Sequence, residues 1–307
     1  WKQAAEAAYD IIKQKTDLGL DLVPYPQIFN DVNNQKAEVI LYRPTGESGD
    51  FEKANFPIGV EGGKTSTCPT QNLMEAYDMK DGTPFVWNNQ SNPYDNRDPR
   101  MKYTIVCNEM KWPVDPVEIW EGGTNGLPLQ NATTTGYYLK KYVNNTISFE
   151  AGSTVTKKQH NWVLFRYGEI LLNYAEAMIN AFHDPNYKDA VYNMSAREAV
   201  NQIRGRTNIS LPGFPSDITE KDFVKRLKNE RRVELAFEGH RFWDVRRWKE
   251  LGQTANIYGV KITKNNEVIS YEKFLLETRA VTDNMYFYPI PNTERFKNPN
   301  LGQNPGW

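Results

Sequence analysis

The sequence predicts a mainly α-helical domain that carries a large irregular loop region with a few short strands. Three observations lead there. Apolar residues recur at helical spacing at the start of the chain and again over residues 161–250. Residues 43–160 are instead dense in Gly, Pro, Asn, Asp and Thr, the composition of long connections. With 13% of all residues aromatic, those connections have the means to pack rather than stay disordered. A chain of 307 residues suffices for one large domain or two ordinary ones. The formal charge of -1 supplies no global field for nucleic acid or anionic lipid. No apolar run reaches the roughly 18 residues that a membrane-crossing helix needs.

Taken in order, residues 1–16 set Trp1, Ala4, Ala5, Ala8, Ile11 and Ile12 on one helical face, and Gly19 and Pro24 stop that helix. "AEVILY", 37–42, reads as a strand. Inside the loop region, "TQNLMEAYDM" predicts a turn or two of helix, and "KYTIVCNE" and "GYYLKKYV" predict strands. Residues 161–182 give the clearest helix, with Leu164, Tyr167, Leu171, Tyr174, Ala175 and Met178 in one stripe. Its Tyr167, Gly168 and Leu171 loosely fit the first helix of a tetratricopeptide repeat. The next helix comes too late for the roughly 34-residue period of that repeat, so the pair is degenerate; an ordinary helical hairpin fits equally. Ser195 followed by Glu198 forms a capping box that opens this next helix. A charged helix is predicted over 219–250, with Thr219 as its N-cap and Gly239 bending or breaking it. Residues 251–307 form a tail packed on the helical core; its last stretch is too rich in proline for a long helix and is pinned by aromatic residues.

The segment "NERRVELAFEGHRFWDVRRWK" is the most informative. On one helix, Glu230, Glu234 and Glu238 stack at i, i+4 and i+8, where like charges repel. Arg241 lies in reach of Glu238, and Arg247 in reach of Asp244, yet Glu230 and Glu234 lack a cation four residues on. Cations must therefore arrive from other helices, and Arg166, Arg204 and Arg206 are the candidates. Phe237, Phe242, Trp243 and Trp248 are expected to bury against the core.

No nucleophile elbow, zinc-protease or phosphate-loop motif is present, so the sequence offers no signature of the commonest hydrolase and nucleotide chemistries. Glu61, Glu118 and Glu121 lie in loops, where carboxylates are ordinarily solvated rather than paired as in a glycosidase. Asp95, Asn96 and Asp98 could ligate calcium but lack EF-hand spacing, so a turn is the simpler reading and no metal or cofactor is expected. Cys68 and Cys107 form no metal spacing; they are read as two inert thiols, with a disulfide open only to an oxidising compartment. Binding is the better fit. Trp87, Trp112 and Trp120, with Tyr94, offer flat apolar faces to sugar rings, and Asn88, Asn89, Arg97, Asn108 and Glu109 offer hydrogen bonds. Trp112 and Trp120, in "KWPVDPVEIWEGG", are the preferred ligand-facing pair, although each Trp can equally anchor its loop to the core.

The segment "KNERRVELAFEGHRFWDVRRWK" also resembles a signature of the SusD/RagB family, surface nutrient-binding proteins of Bacteroidota. "FRYGEILLNYAEA", "PTQNLMEAYDMKDGTP", "NRDPRMKYTI" and "YPIPNTERFKNPNLGQNPGW" resemble further parts of the family, so the resemblance covers essentially the whole chain. It implies one SusD-like domain over residues 1–307, with a ligand-facing loop region at 43–160, a helical core at 161–250 and the tail at 251–307. It implies a non-catalytic outer-membrane lipoprotein on the cell surface. Such a protein sits as a lid on a SusC-like TonB-dependent transporter and captures glycans or, in RagB-like members, peptides. A helical-repeat scaffold for protein partners is the alternative from another class. Family members are longer at the N-terminus, where they carry the lipid anchor, further helix pairs and part of the ligand site. The chain is accordingly expected to be the C-terminal portion of a longer product.

Overall fold

In the computed structural model, residues 1–29, 37–88, 92–150 and 156–307 are described. Lys2–Lys13 form α1, which buries Ala5, Ala8, Tyr9 and Ile12. The buried face is rotated from the predicted one: Tyr9 replaces Trp1, Ala4 and Ile11, because its ring stacks on Tyr174 at 5.4 Å. Val39–Pro44 form β1. Four short elements follow within the loop region: the helices α2 (Asp50–Asn55), α3 (Gln71–Met74) and α4 (Arg100–Thr104), and the strand β2 (Ile105–Val106). Thr70 caps α3 by accepting from Leu73 N at 3.3 Å. Tyr138–Leu139, as β3, pairs antiparallel with β2, the two strands predicted around these residues.

The predicted helix at 161–182 divides. Asn161–Arg166 form β4, antiparallel to β1, and only Tyr167–Phe182 form a helix, α5. Leu164, counted into the helical stripe from sequence, is exposed on this strand. A β-branched and aromatic run directly before an apolar helix extends its periodicity, and pairing with β1 decides otherwise. Ala196–Arg204 form α6 behind the capping box: Ser195 Oγ accepts from Glu198 N (3.1 Å) and Glu198 Oε2 accepts from Ser195 N (2.8 Å). Glu220–Glu234 form α7, capped by Thr219, whose Oγ1 accepts from Asp222 N at 3.1 Å. Helix α5 packs against α1, α6 and α7, and these four share one core that includes Tyr174, Met178, Ala199, Ile203 and Phe223.

The charged stretch is two helices, not one. Helix α7 ends at Glu234, and Arg241–Arg247 form the short α8. Between them the chain turns through two left-handed residues, Phe237 at φ 61° and Gly239 at φ 84°. The break thus begins earlier than the glycine alone suggests. It also overturns the expected burial of the aromatics: Phe237, Phe242 and Trp243 are 37%, 38% and 60% exposed, because α8 lies outside the turn that would have carried them inward. Trp248 is half-buried, its Nε1 donating to Glu176 at 2.8 Å.

The tail region opens with a hairpin that the sequence reading did not foresee. Asn256–Asn265 (β5) and Val268–Thr278 (β6) pair antiparallel around Asn266, which takes φ 52°. The hairpin packs on α3, and Val260 N donates to Thr135 O at 3.0 Å. Gly136 makes this approach possible: a Cβ there would stand 2.4 Å from Val260 O. Val260, Ile262 and Tyr271 thereby join the loop-region core around Met74, Tyr77, Ile105, Tyr137 and Tyr138. The last short helix, α9 (Asn292–Lys297), buries none of its residues. Cys107 is buried in the loop-region core and Cys68 is half-buried; both thiols are free.

Candidate functional site

The loop region rests on the helices through a buried ionic cluster. Glu230 accepts from Arg100 Nη1 (2.6 Å) and Arg204 Nη1 (2.7 Å). Glu234 accepts from Arg100 (2.9 Å), Arg166 (2.8 Å) and Arg206 (2.7 Å). Glu238 accepts from Arg166 Nε (2.7 Å) and Lys141 Nζ (2.8 Å). It lies past the end of α7, so Arg241 is not its partner. Arg247 does reach Asp244, at 2.9 Å. Two further acids complete the set: Glu38, held by Arg166 and Arg206, and Asp98, held by Arg100.

Burial alone would raise the three glutamates. Around Glu234, the guanidiniums of Arg206, Arg166 and Arg100 outweigh it and hold the carboxyl well below its ordinary range. Glu230 is lowered against burial by Arg100 and Arg204, and Glu238 by Arg166 and Lys141. Burial pushes Lys141 down to about 8, against the pull of Glu238. The sequence named Arg166, Arg204 and Arg206. It missed Arg100, the first residue of α4, and Lys141, both from the loop-rich region; the signal for Arg100 was "RDPR", where Asp98 sits two residues before it.

Lys141 leads from this cluster to a surface cleft of about 270 Å³. Trp112, Tyr103, Lys140, Lys141, Tyr142 and Asn144 line it, together with Asn145, Lys158 and His160. Trp112 is 7% exposed, and its indole Nε1–H is buried without a hydrogen-bond partner among the described residues. Lys140 Nζ stands 4.9 Å over the Trp112 ring. Tyr142 takes φ 67° and packs against Phe29 and Trp162, which fixes the loop that carries Lys140 to Thr146. His160 Nε2 lies 2.9 Å from the buried Glu52.

The structure separates the other residues read as ligand-facing. Arg97 is buried: it donates to the carbonyls of Pro93, Met74 and Tyr77, each at 2.7 Å, and its guanidinium covers the Phe85 ring. Tyr94 is buried between Tyr137 and Tyr271. Both are occupied in packing the loops, which removes them from a solvent-facing site. Asn108 is buried too, accepting from Ile119 N at 2.9 Å, whereas Glu109 is exposed. Trp87 and Trp120 are half-buried at the edge of the same core, Trp120 under Lys264 and Trp87 beside Phe85. Asn88 is exposed next to Trp87, and Asn89 lies outside the described residues. Asn96 takes φ 51° in a turn, and Asp98 is spent on Arg100. Among the described residues no group of His, Cys, Asp and Glu is disposed to hold a metal ion. No described helix is long and apolar enough to cross a membrane.

Comparison with known proteins fits this architecture. Residues 28–307 match the model of the SusD family. Among curated proteins, SusD-like protein P2 of Formosa agariphila is 29% identical over 163 residues, which is 51% of this chain and 28% of that protein. SusD-like protein P38 of the same organism is 30% identical over 150 residues, 47% of this chain and 24% of its own length. Among solved structures, a SusD-like protein from Bacteroides fragilis superposes with a TM-score of 0.80 at 26% identity, covering 99% of this chain and 63% of its own. A second from that organism, described as a SusD-like carbohydrate binding protein, gives 0.78 at 25% identity, covering 98% and 61%. The chain therefore spans about a quarter of the curated relatives it matches and under two thirds of these structures. With its fold shared along nearly its whole length and the family model matched from residue 28 to residue 307, the chain belongs to the SusD family.

Proposed function

We propose that this protein is a non-catalytic cell-surface binding protein that captures a glycan at the Trp112 cleft for import through a SusC-like transporter. The observation that carries this reading is the cleft itself. It joins a large aromatic, Trp112, to amide and hydroxyl groups of Asn144, Asn145, Tyr103 and Thr146 within one concavity. Sugars present C–H faces to such rings and hydroxyls to such amides. The cleft's volume of about 270 Å³ falls just under the roughly 300–1,000 Å³ of small-molecule sites, so it suits a short stretch of chain. A Bacteroides fragilis relative described as carbohydrate binding, 25% identical over nearly the whole of this chain, supports the same class.

The test is calorimetric titration of the purified chain with a panel of plant and microbial oligosaccharides. At least one is expected to bind, to be recovered intact by mass spectrometry, and to lose about tenfold or more in affinity in Trp112→Ala, a loss of about 1.4 kcal/mol. Trp120→Ala, tested alongside, is expected to weaken binding less, since Trp120 does not line the cleft. Failure of every glycan to bind, or cleavage of the one that does, overturns the reading.

A further inference from the structure

We infer that the Trp112 cleft selects an anionic sugar, one bearing a uronate carboxylate or a sulfate ester; this rests on the glycan-binding reading above. Part of the charge in the cleft is already spent. Its lining holds Lys140, Lys141, Lys158 and His160 and no Asp or Glu. Lys141 is committed to Glu238 and to Tyr25 Oη, and His160 lies against Glu52. Lys140 and Lys158 remain. Lys140 Nζ meets Met110 Sδ at 3.6 Å and the face of Trp112 and, among the described residues, no carboxylate. It is only half-exposed, and burial, with Lys102 nearby, pushes its pKa down. A partly desolvated ammonium with no counter-charge among the described residues is an unfavourable arrangement that an incoming anion relieves.

The rest of the cleft suits the same ligand. Trp112 Nε1–H is a buried donor with no acceptor among the described residues. The donors that line this site are the Lys140 and Lys158 ammoniums, with Asn144 and Asn145 amides beside them. A neutral sugar hydroxyl satisfies one of these; a carboxylate or sulfate, with two or three acceptor oxygens, satisfies several at once. Lys140 lies over the Trp112 ring, so charge and aromatic surface meet on one wall of the cleft.

The probes are galacturonate oligomers, their fully methyl-esterified form of the same backbone, sulfated galactan oligomers, neutral galactan oligomers and an acidic peptide. Each is titrated into the purified chain at low and high salt. One anionic sugar is expected to bind about tenfold or more tighter than its neutral counterpart, with the gap narrowing as salt screens it. Whether the carboxylate or the sulfate series carries the gap identifies the anion. The preference should collapse in Lys140→Gln/Lys158→Gln and survive in Lys140→Arg/Lys158→Arg, which keeps both charges. Equal binding of charged and neutral forms overturns the anionic preference, and a preference that persists in the double Gln variant overturns its assignment to this cleft; both leave glycan capture standing. Binding of the acidic peptide with no sugar bound overturns both.

Discussion

Glu234 is shut off from solvent and shared by three guanidiniums on three different segments, those of Arg100, Arg166 and Arg206. Removing its charge strands these cations in a low-dielectric interior. Glu234→Gln, nearly isosteric, is therefore expected to cost about 3–5 kcal/mol in urea unfolding, the range for breaking a buried pair by removing one partner. The pH dependence follows from sign. The guanidiniums depress the folded-state pKa of Glu234 below its ordinary 4.5. Its contribution is thus complete above that value and is lost as pH falls below it. The stability gap between the native chain and Glu234→Gln should stay constant from pH 7 to about 4.5 and close below that. A gap already closing between pH 7 and 5 would show that the pairs do not stabilise as argued. Glutamates recurring every fourth residue made the need for outside cations legible in the sequence. The identity of Arg100, Lys141 and Glu38 was not, because loops that meet only in three dimensions deliver them. The same holds for the cleft: Trp112 was legible as a large aromatic in a loop, whereas Lys140 and Lys158 come to line one cleft with it only through the fold.

Between α7 and α8, five consecutive residues of helical character, "LAFEG", become a turn. Gly239 adopts φ 84° with open space around its missing Cβ. Gly239→Ala is expected to lower stability by about 1–2 kcal/mol, all of it from backbone strain and none from collision. A loss under about 0.3 kcal/mol would place the turn elsewhere in solution. At the start of α6, Ser195→Ala removes half of the capping box and is expected to cost about 1 kcal/mol, read from the same urea curves. Local signals of this kind, caps and apolar stripes, were readable because they act within one turn of chain. Where a strand runs straight into a helix, as β4 does into α5, the stripe continues across the junction and only the partner strand β1 decides. The β5–β6 hairpin escaped for a related reason: its inward residues are few, and its place is set by distant segments, through Asn72, Glu75, Glu121 and the close approach at Gly136.

Across the whole molecule, Arg100 from the loop region and Arg166, Arg204 and Arg206 from the helical side converge on two acids of α7. Loops and helices are thus tied by the same ions, and both regions are expected to unfold together. Tryptophan fluorescence and far-ultraviolet dichroism should trace one coincident urea transition. Arg100→Met should separate them, the loop region melting first; coincident curves in that variant would mean the ions do not couple the two halves. One side chain already in place offers a way to watch such opening. Cys107 sits sealed in the loop-region core with its thiol pushed up to about 12 by burial, whereas Cys68 is half-buried nearer the surface. An alkylating reagent should therefore tag Cys68 early and Cys107 only at moments when the interior parts, so that the lag between the two tags becomes a stopwatch for the breathing of the unaltered protein.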